Sequence, residues 1–334
     1  MQALLLTTAD GLDSVELANV DTPEPAEGEV RVAIKAASLN HRELWITKGL
    51  YPGMQLPATL GCDGAGVVES VGAGVDASLV GTEVVIYPGL DNWGDDARFP
   101  APEFALLGMP GPGTVAEYIC VPAAHVSPKP EYLSFEEAAA IPLAALTAWR
   151  GLFTKANLQA GEKVLITGVG GGVATFALMF AKAVGAIPYV TSGSDDTLAK
   201  AKEYGAVDGF NYRDENWRKA VGKTTGGIDV VFDGAPASSF ANYTRALNMG
   251  ARVVLYGSTG GMDFKVMATD IFLKNLSVIG TNVGNLQEFN AMFAFVEKHQ
   301  LKPVMDRNFG FGESKEALQY LSDSHQFGKV TITA

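Results

Sequence analysis

The chain has 334 residues, 47% of them hydrophobic and 19% charged, enough apolar material for large cores and a length at which two domains are expected. Its formal net charge of −12, spread without any block of like charges, argues against nucleic acid or an anionic membrane as the main partner. Only Cys62 and Cys120 are present, so a disulfide framework is out of reach. The start MQALLLTTADG has neither a basic region nor an apolar run long enough for a signal peptide or a membrane span, and a soluble cytoplasmic protein is expected.

No internal repeat or low-complexity tract interrupts the chain, but its rhythm changes near residue 130. Before that point come short β-like runs, EVRVAIKAAS, GAGVVESVG, TEVVIYP and AEYICVP, punctuated by Gly and Pro as in a mostly antiparallel β domain. After it, strands and helices alternate. Ser134 and Glu137 have the spacing of a capping box, and Pro142 divides this helical stretch into two helices. KVLITG reads as a buried strand, and Val173, Phe176, Ala177, Phe180, Ala181 and Val184 recur at helical spacing up to Gly185, a natural left-handed stop.

IPYVTS, GFNY, VVFDGA, ARVVLYG and LSVIGT continue the series to six β runs joined by crossovers, the pattern of a doubly wound parallel sheet. The tail shows a helix over Met292–His299, another over Ser314–Ser322 and a last strand, KVTIT, with no place in that sheet. The fold class is therefore α/β. The expected division is a β domain over 1–127, a six-stranded nucleotide-binding domain over 128–284, and a segment over 285–334 that returns to the first domain.

In LITGVGGGVATFALMFAKAVG a strand, a glycine turn and an amphipathic helix come in the order that a dinucleotide site needs. Counted as G-x-x-G-x-x-A, the match uses Gly168, Gly171 and Ala174; glycines let a pyrophosphate approach the unpaired N–H groups at a helix N-terminus. Where an NAD site would carry an acid on the second strand, the sequence reads TSGSDD, with Ser192 and Ser194 at the turn. Two hydroxyls in place of a carboxylate suit a 2′-phosphate, so NADPH is expected, with NADH as the alternative. Asp195 and Asp196 read as the first turn of the next helix, and Ser192 and Ser194 could equally be that helix's caps.

The chain resembles the medium-chain dehydrogenase/reductase superfamily over nearly its full length. The resemblance rests on EVRVAIKAASLNHREL, GLYPGMQLPATLGCDGAGVVESVGAGV, AAIPLAALTAWRGL and the glycine segment. It implies a GroES-like catalytic domain joined to a Rossmann domain. Zinc alcohol dehydrogenases of that family hold a catalytic metal with Cys, His and Cys. The corresponding positions here are Asn40, Cys62 and Leu143, with Asp63 in place of a Glu, and residues 88–117 lack the cysteines of a structural zinc lobe. Asn and Leu make a poor set for zinc, so no metal is expected. A substitute set from His41, Glu43, Cys62 and Asp63 is chemically conceivable, but nothing in the sequence brings these residues together; Cys62 reads as a small buried residue.

The same resemblance, to zinc-free quinone and enoyl reductases, implies hydride transfer from a nicotinamide to a quinone or an α,β-unsaturated carbonyl. It places Tyr51 as donor to the developing oxyanion, Asn40 facing the substrate and Thr147 near the nicotinamide and ribose. As bare residues, Tyr51 could pack on neighbouring prolines and Asn40 could hold a turn. Cofactor contacts implied by the family fall on Gly171, Gly172 and Val173 at the pyrophosphate, and on Ser192, Ser194 and Tyr212 near the adenosine phosphate. Tyr256 and Ser258 fall on the path to the nicotinamide, and Asn282 near its amide. Thr197 stands where some relatives carry Lys.

Trp45, Trp93 and Phe99 are candidates for an apolar substrate pocket, while His125, His299 and His325 join no constellation. The alternatives are an enoyl-thioester reductase, a zinc alcohol dehydrogenase with atypical ligands, and a non-catalytic nucleotide-binding relative. The apolar last sheet strand, NLSVIGTNVG, invites pairing with a second copy, so a homodimer is expected.

Overall fold

The apolar opening run forms β1 (Gln2–Leu6), which pairs antiparallel with β2 (Val15–Asn19) and with the short β4 (Ala58–Thr59). Between them the alternating run EVRVAIKAAS becomes β3 (Glu29–Ser38), joined by a short turn to α1 (His41–Thr47). The strands β5 (Asp63–Val71), β6 (Glu83–Ile86), β7 (Tyr118–Pro122) and β8 (Val126–Pro128) complete the first stretch, and α2 (Phe135–Ala139) and α3 (Pro142–Trp149) come after it. The computed structural model describes residues 1–90 and 93–334.

Six parallel strands come next, β9 (Lys163–Ile166), β10 (Ile187–Ser192), β11 (Asp208–Asn211), β12 (Ile228–Asp233), β13 (Leu247–Leu255) and β14 (Ser277–Gly280). Their order in the sheet is β11-β10-β9-β12-β13-β14, reversing at β9/β12 as a doubly wound fold requires. The connecting helices include α4 (Gly172–Ala183), α5 (Asp195–Glu203), α6 (Trp217–Thr225), α7 (Pro236–Tyr243) and α8 (Ala268–Phe272). Central strands β9 and β12 are buried along nearly their whole length, as strands covered on both faces are. Trp217, Phe240 and Tyr243 pack with Val231 and Val253 in the core of this unit.

The tail supplies α9 (Leu286–Lys298), β15 (Met305–Gly310), α10 (Ser314–Ser322) and β16 (Lys329–Thr333). Periodicity alone starts its first helix at Met292. The helix instead begins at Leu286, because Asn285 and Glu288 form a capping box that the apolar spacing does not register. Strand β16 pairs antiparallel with β3, and Phe309, Leu318 and Ile332 fill one core with Leu4, Leu39 and Leu60.

The chain accordingly divides into one unit of Met1–Ala144 with Asn285–Ala334, and a second of Ala145–Gly284. The change of rhythm near residue 130 precedes this boundary because α2 packs on β3 and β5 of the first unit. The start of α2 is where the sequence places it, with the Ser134 hydroxyl accepting from Glu137 N and Glu137 Oε2 accepting from Ser134 N.

Candidate active site

In the first unit, the turn from β3 into α1 sets up the site. Glu43 performs the capping of α1, its Oε2 accepting from Asn40 N at 2.7 Å. The Asn40 side chain also reaches β5. Its Nδ2 donates to Asp63 Oδ2 at 2.9 Å and to Cys62 Sγ at 3.6 Å, and its Oδ1 accepts from Lys329 Nζ at 2.6 Å. Lys329, at the start of β16, also donates to Leu39 O at 3.0 Å and to Asp63 Oδ2 at 3.3 Å, so all three ammonium hydrogens have acceptors. Asp63 Oδ1 accepts from the backbone N–H of Leu143 at 2.8 Å.

Cys62 and Asp63 are fully buried, and Lys329 is 3% exposed. Gly61 makes the tight approach possible: its φ is +95, and a Cβ there would lie 2.7 Å from Val115 Cγ2. Burial, then the neighbouring Asp63 carboxylate, push the Cys62 thiol well above its ordinary range, so it is a neutral thiol.

Next along α1, Arg42 is buried and lies over the Tyr51 ring, its guanidinium carbon 4.7 Å from the ring centroid. Its Nε faces Tyr51 Oη at 3.4 Å, and Nη1 donates to Glu43 Oε1 at 3.1 Å and to Leu107 O at 2.8 Å. Burial opposes the Glu43 charge and raises its pKa, while Arg42 and the Asn40 N–H act the other way. Tyr51 also packs against the core that holds Leu44 and Met109. Sequence reasoning missed both Lys329 and Arg42. Arg42 sits inside NHREL, but its partner Tyr51 is unreadable from spacing, and Lys329 is distant in sequence from everything that it touches.

The family resemblance puts metal ligands at Asn40, Cys62 and Leu143, and the residues present do not fit a catalytic zinc. Leu143 offers an aliphatic side chain and the Asn40 oxygen already accepts from an ammonium, which leaves Cys62 as one donor where zinc needs three strong ones. Glu43 is committed to the helix cap and Arg42 rather than turned towards Cys62. Among the described residues, no group of three or more His, Cys, Asp or Glu side chains is placed to hold a metal ion.

In the second unit, the glycine turn joins β9 to α4. Gly168 has φ +66 and Gly170 φ +129, and Gly171 is the N-cap of α4 with no side chain to satisfy the first N–H groups. A Cβ on Gly168 or Gly171 would meet nothing within 4 Å, so open space borders this helix end, whose first N–H groups include those of Gly172 and Val173. That arrangement fits a dinucleotide pyrophosphate.

At the end of β10, Ser192 is buried and its Oγ accepts from Ser194 N at 3.3 Å; Ser194 Oγ caps α5 by accepting from Thr197 N at 3.3 Å. Asp195 and Asp196 do form the first turn of α5, and Asp195 accepts from Asn211 Nδ2. Tyr212 closes over the same turn, since a Cβ on Gly193 would lie 2.7 Å from its Oη. Tyr256 stacks on Phe232 with centroids 4.2 Å apart, and burial pushes its pKa upward. Ser258 Oγ donates to Met262 Sδ, and Asn282 is exposed beyond β14. Thr147 is buried on α3.

Asn40 thus joins Cys62 and Asp63, while Thr147 belongs to the other unit. Of the candidate pocket aromatics, Trp93 is buried against Phe104, and Trp45 and Phe99 are exposed.

The chain matches the family description "Alcohol dehydrogenase GroES-like domain" over residues 26–131 and "Zinc-binding dehydrogenase" over residues 172–298. It is 36% identical over 340 residues to the zinc-type alcohol dehydrogenase-like protein YogA of Leptosphaeria maculans, covering 95% of this chain and 94% of that protein. It is 28% identical to the quinone oxidoreductase of Mus musculus, covering 99% of this chain and 97% of that one. A crystal structure described as an NAD-dependent alcohol dehydrogenase superimposes with a TM-score of 0.94 at 38% identity, with 100% of each chain covered.

Proposed function

The chain belongs to the medium-chain dehydrogenase/reductase superfamily of oxidoreductases, and we propose that it transfers a hydride from NADPH to quinones or α,β-unsaturated carbonyl compounds without a metal ion. The observation that carries this reading is the donor set at Asn40, Cys62 and Leu143, where an ammonium, an amide and a backbone N–H converge on Asp63 in place of metal ligands. Oxidising a simple alcohol calls for a Lewis acid to hold the alkoxide. A conjugated carbonyl or a quinone is already polarised, and after hydride addition it needs only a proton or hydrogen bond at its oxygen.

The bound dinucleotide supplies the hydride. The N–H groups from Gly171 to Val173 and the turn at Gly168 hold its pyrophosphate. Ser192, Ser194 and Tyr212 take the adenosine phosphate, which favours NADPH over NADH because Asp195 is drawn into α5 and onto Asn211. Tyr256, Ser258 and Asn282 line the cofactor's course towards the nicotinamide, and Thr147 meets its ribose. Tyr51 donates to the acceptor oxygen. Asn40, whose amide nitrogen donates to both Cys62 and Asp63, holds them in place beside it.

The quinone oxidoreductase relative supports the acceptor class, and two free cysteines suit the cytoplasm. Among the described residues, no helix is long and apolar enough to cross a membrane. The edge strand β14, with Val278 exposed, supports a homodimer.

The test is oxidation of NADPH with a panel of quinones and enones in excess chelator. Turnover there is the expected result. Activity that emerges only with simple alcohols after zinc is supplied would overturn the reading in favour of an atypical zinc enzyme.

A further inference from the structure

Arg42 is a costly residue to bury. Its side chain is 8% exposed, Glu43 answers its charge, and Nη2 still has no hydrogen-bond partner among the described residues. A buried orphan donor costs on the order of 1–3 kcal/mol, and an apolar side chain of similar length would avoid both that cost and the desolvation of a charge. Beyond the two acceptors of Nη1, Glu43 Oε1 and Leu107 O, what Arg42 supplies is its contact with Tyr51. The cation lies over the ring at 4.7 Å, and Nε faces Oη at 3.4 Å. Leu107 O and Glu43 Oε1 pin Nη1 from the other side, so the guanidinium plane is fixed.

We infer that Arg42 is a positioning residue for the Tyr51 phenol, turning its hydroxyl into an acceptor of the Nε–H so that the phenolic proton faces the substrate oxygen. This rests on the reduction proposed above, with Tyr51 as donor. The charge left on the substrate oxygen by hydride addition takes the Tyr51 proton: the phenolic O–H bond breaks, an O–H bond forms on the enol or hydroquinone, and a tyrosinate remains. Arg42 holds that anion by charge and by hydrogen bond until water returns a proton. A lysine in the same place would keep the charge but lose the fork that fixes its direction.

The test uses the full-length protein with NADPH and a quinone or enone. R42M/E43Q removes both buried charges together, so its folding does not depend on an unpaired ion; far-ultraviolet circular dichroism and NADPH binding check that it is native. It is expected to lose about 10- to 100-fold in kcat with the KM for NADPH unchanged. R42K recovers part of the loss, and Y51F loses at least as much as R42M/E43Q. Adding R42M/E43Q to Y51F costs nothing further, because Arg42 acts through Tyr51. The solvent deuterium isotope effect on kcat should rise in R42M/E43Q, which a purely structural role would not produce.

Wild-type kcat and isotope effect in R42M/E43Q, or losses that multiply with those of Y51F, would overturn the inference while leaving the proposed reaction intact. Full activity in Y51F would remove the donor and the inference together. No turnover in the wild type would overturn the proposed reaction and, with it, the inference.

Discussion

The Lys329 ammonium meets the Asp63 carboxylate at 3.3 Å across 266 residues of sequence, and both groups are almost wholly out of water. The pair ties the last strand of the chain to the start of β5, beside Cys62, where Asn40 from the β3–α1 turn also meets Asp63. Asp63 is held from a second direction by Leu143 N. Taking one partner away strands the other charge in the core.

Lys329→Met should therefore destabilise the protein by about 3–5 kcal/mol, because Asp63 then stays buried and unpaired. Adding Asp63→Asn to it should restore much of the loss. Urea unfolding of the two variants checks this; a single variant within about 1 kcal/mol of wild type would show that the pair is solvated.

Gly171→Asp separates folding from cofactor binding. Gly171 has φ −76 and ψ 153, open to any residue, and a Cβ there meets nothing within 4 Å. An Asp at this N-cap should stabilise α4 by roughly 1 kcal/mol while filling the pyrophosphate site with a negative charge. The expected outcome is an unchanged or raised melting temperature with NADPH binding lost. Retained binding would mean that the dinucleotide does not use this helix end.

Both thiols should resist alkylation in the native protein. Burial and Asp63 push Cys62 far up, and burial, then Glu29, push Cys120 up to about 11. Thiolate is the reactive form, so raising the pH towards that value should speed labelling of the half-buried Cys120 and leave Cys62 untouched. Mass spectrometry after iodoacetamide treatment reads each site, and denaturant should expose both. Rapid native labelling of Cys62 at about pH 8 would contradict its burial as a neutral thiol.

Tyr132 fastens the end of α9 to the segment before α2, its hydroxyl lying 3.1 Å from Val296 O and 2.9 Å from Leu301 O, with one proton shared between them. Tyr132→Phe should cost about 1–2 kcal/mol of stability by leaving two carbonyls without this donor. Turnover per folded molecule should not change, and a fall in kcat at full occupancy would show that α9 communicates with the site.

Much of this protein was legible in local spacing. The strand, glycine turn and helix around Gly168 and Gly171, the capping box from Ser134 to Glu137, the break at Pro142 and the β runs of the second unit arise from side-chain period and backbone constraint within a few residues, while the crossovers between those runs announce the parallel sheet that pairs them. The poor metal donors at Asn40 and Leu143 were legible too, since side-chain chemistry is written in the residue type. The tertiary structure alone decided the relations between distant residues: Lys329 beside Asp63, Arg42 over Tyr51, and α2 on the first unit's sheet. A buried charge finds its partner through the packing of the whole core, and no period in the sequence records which strand will bring it there.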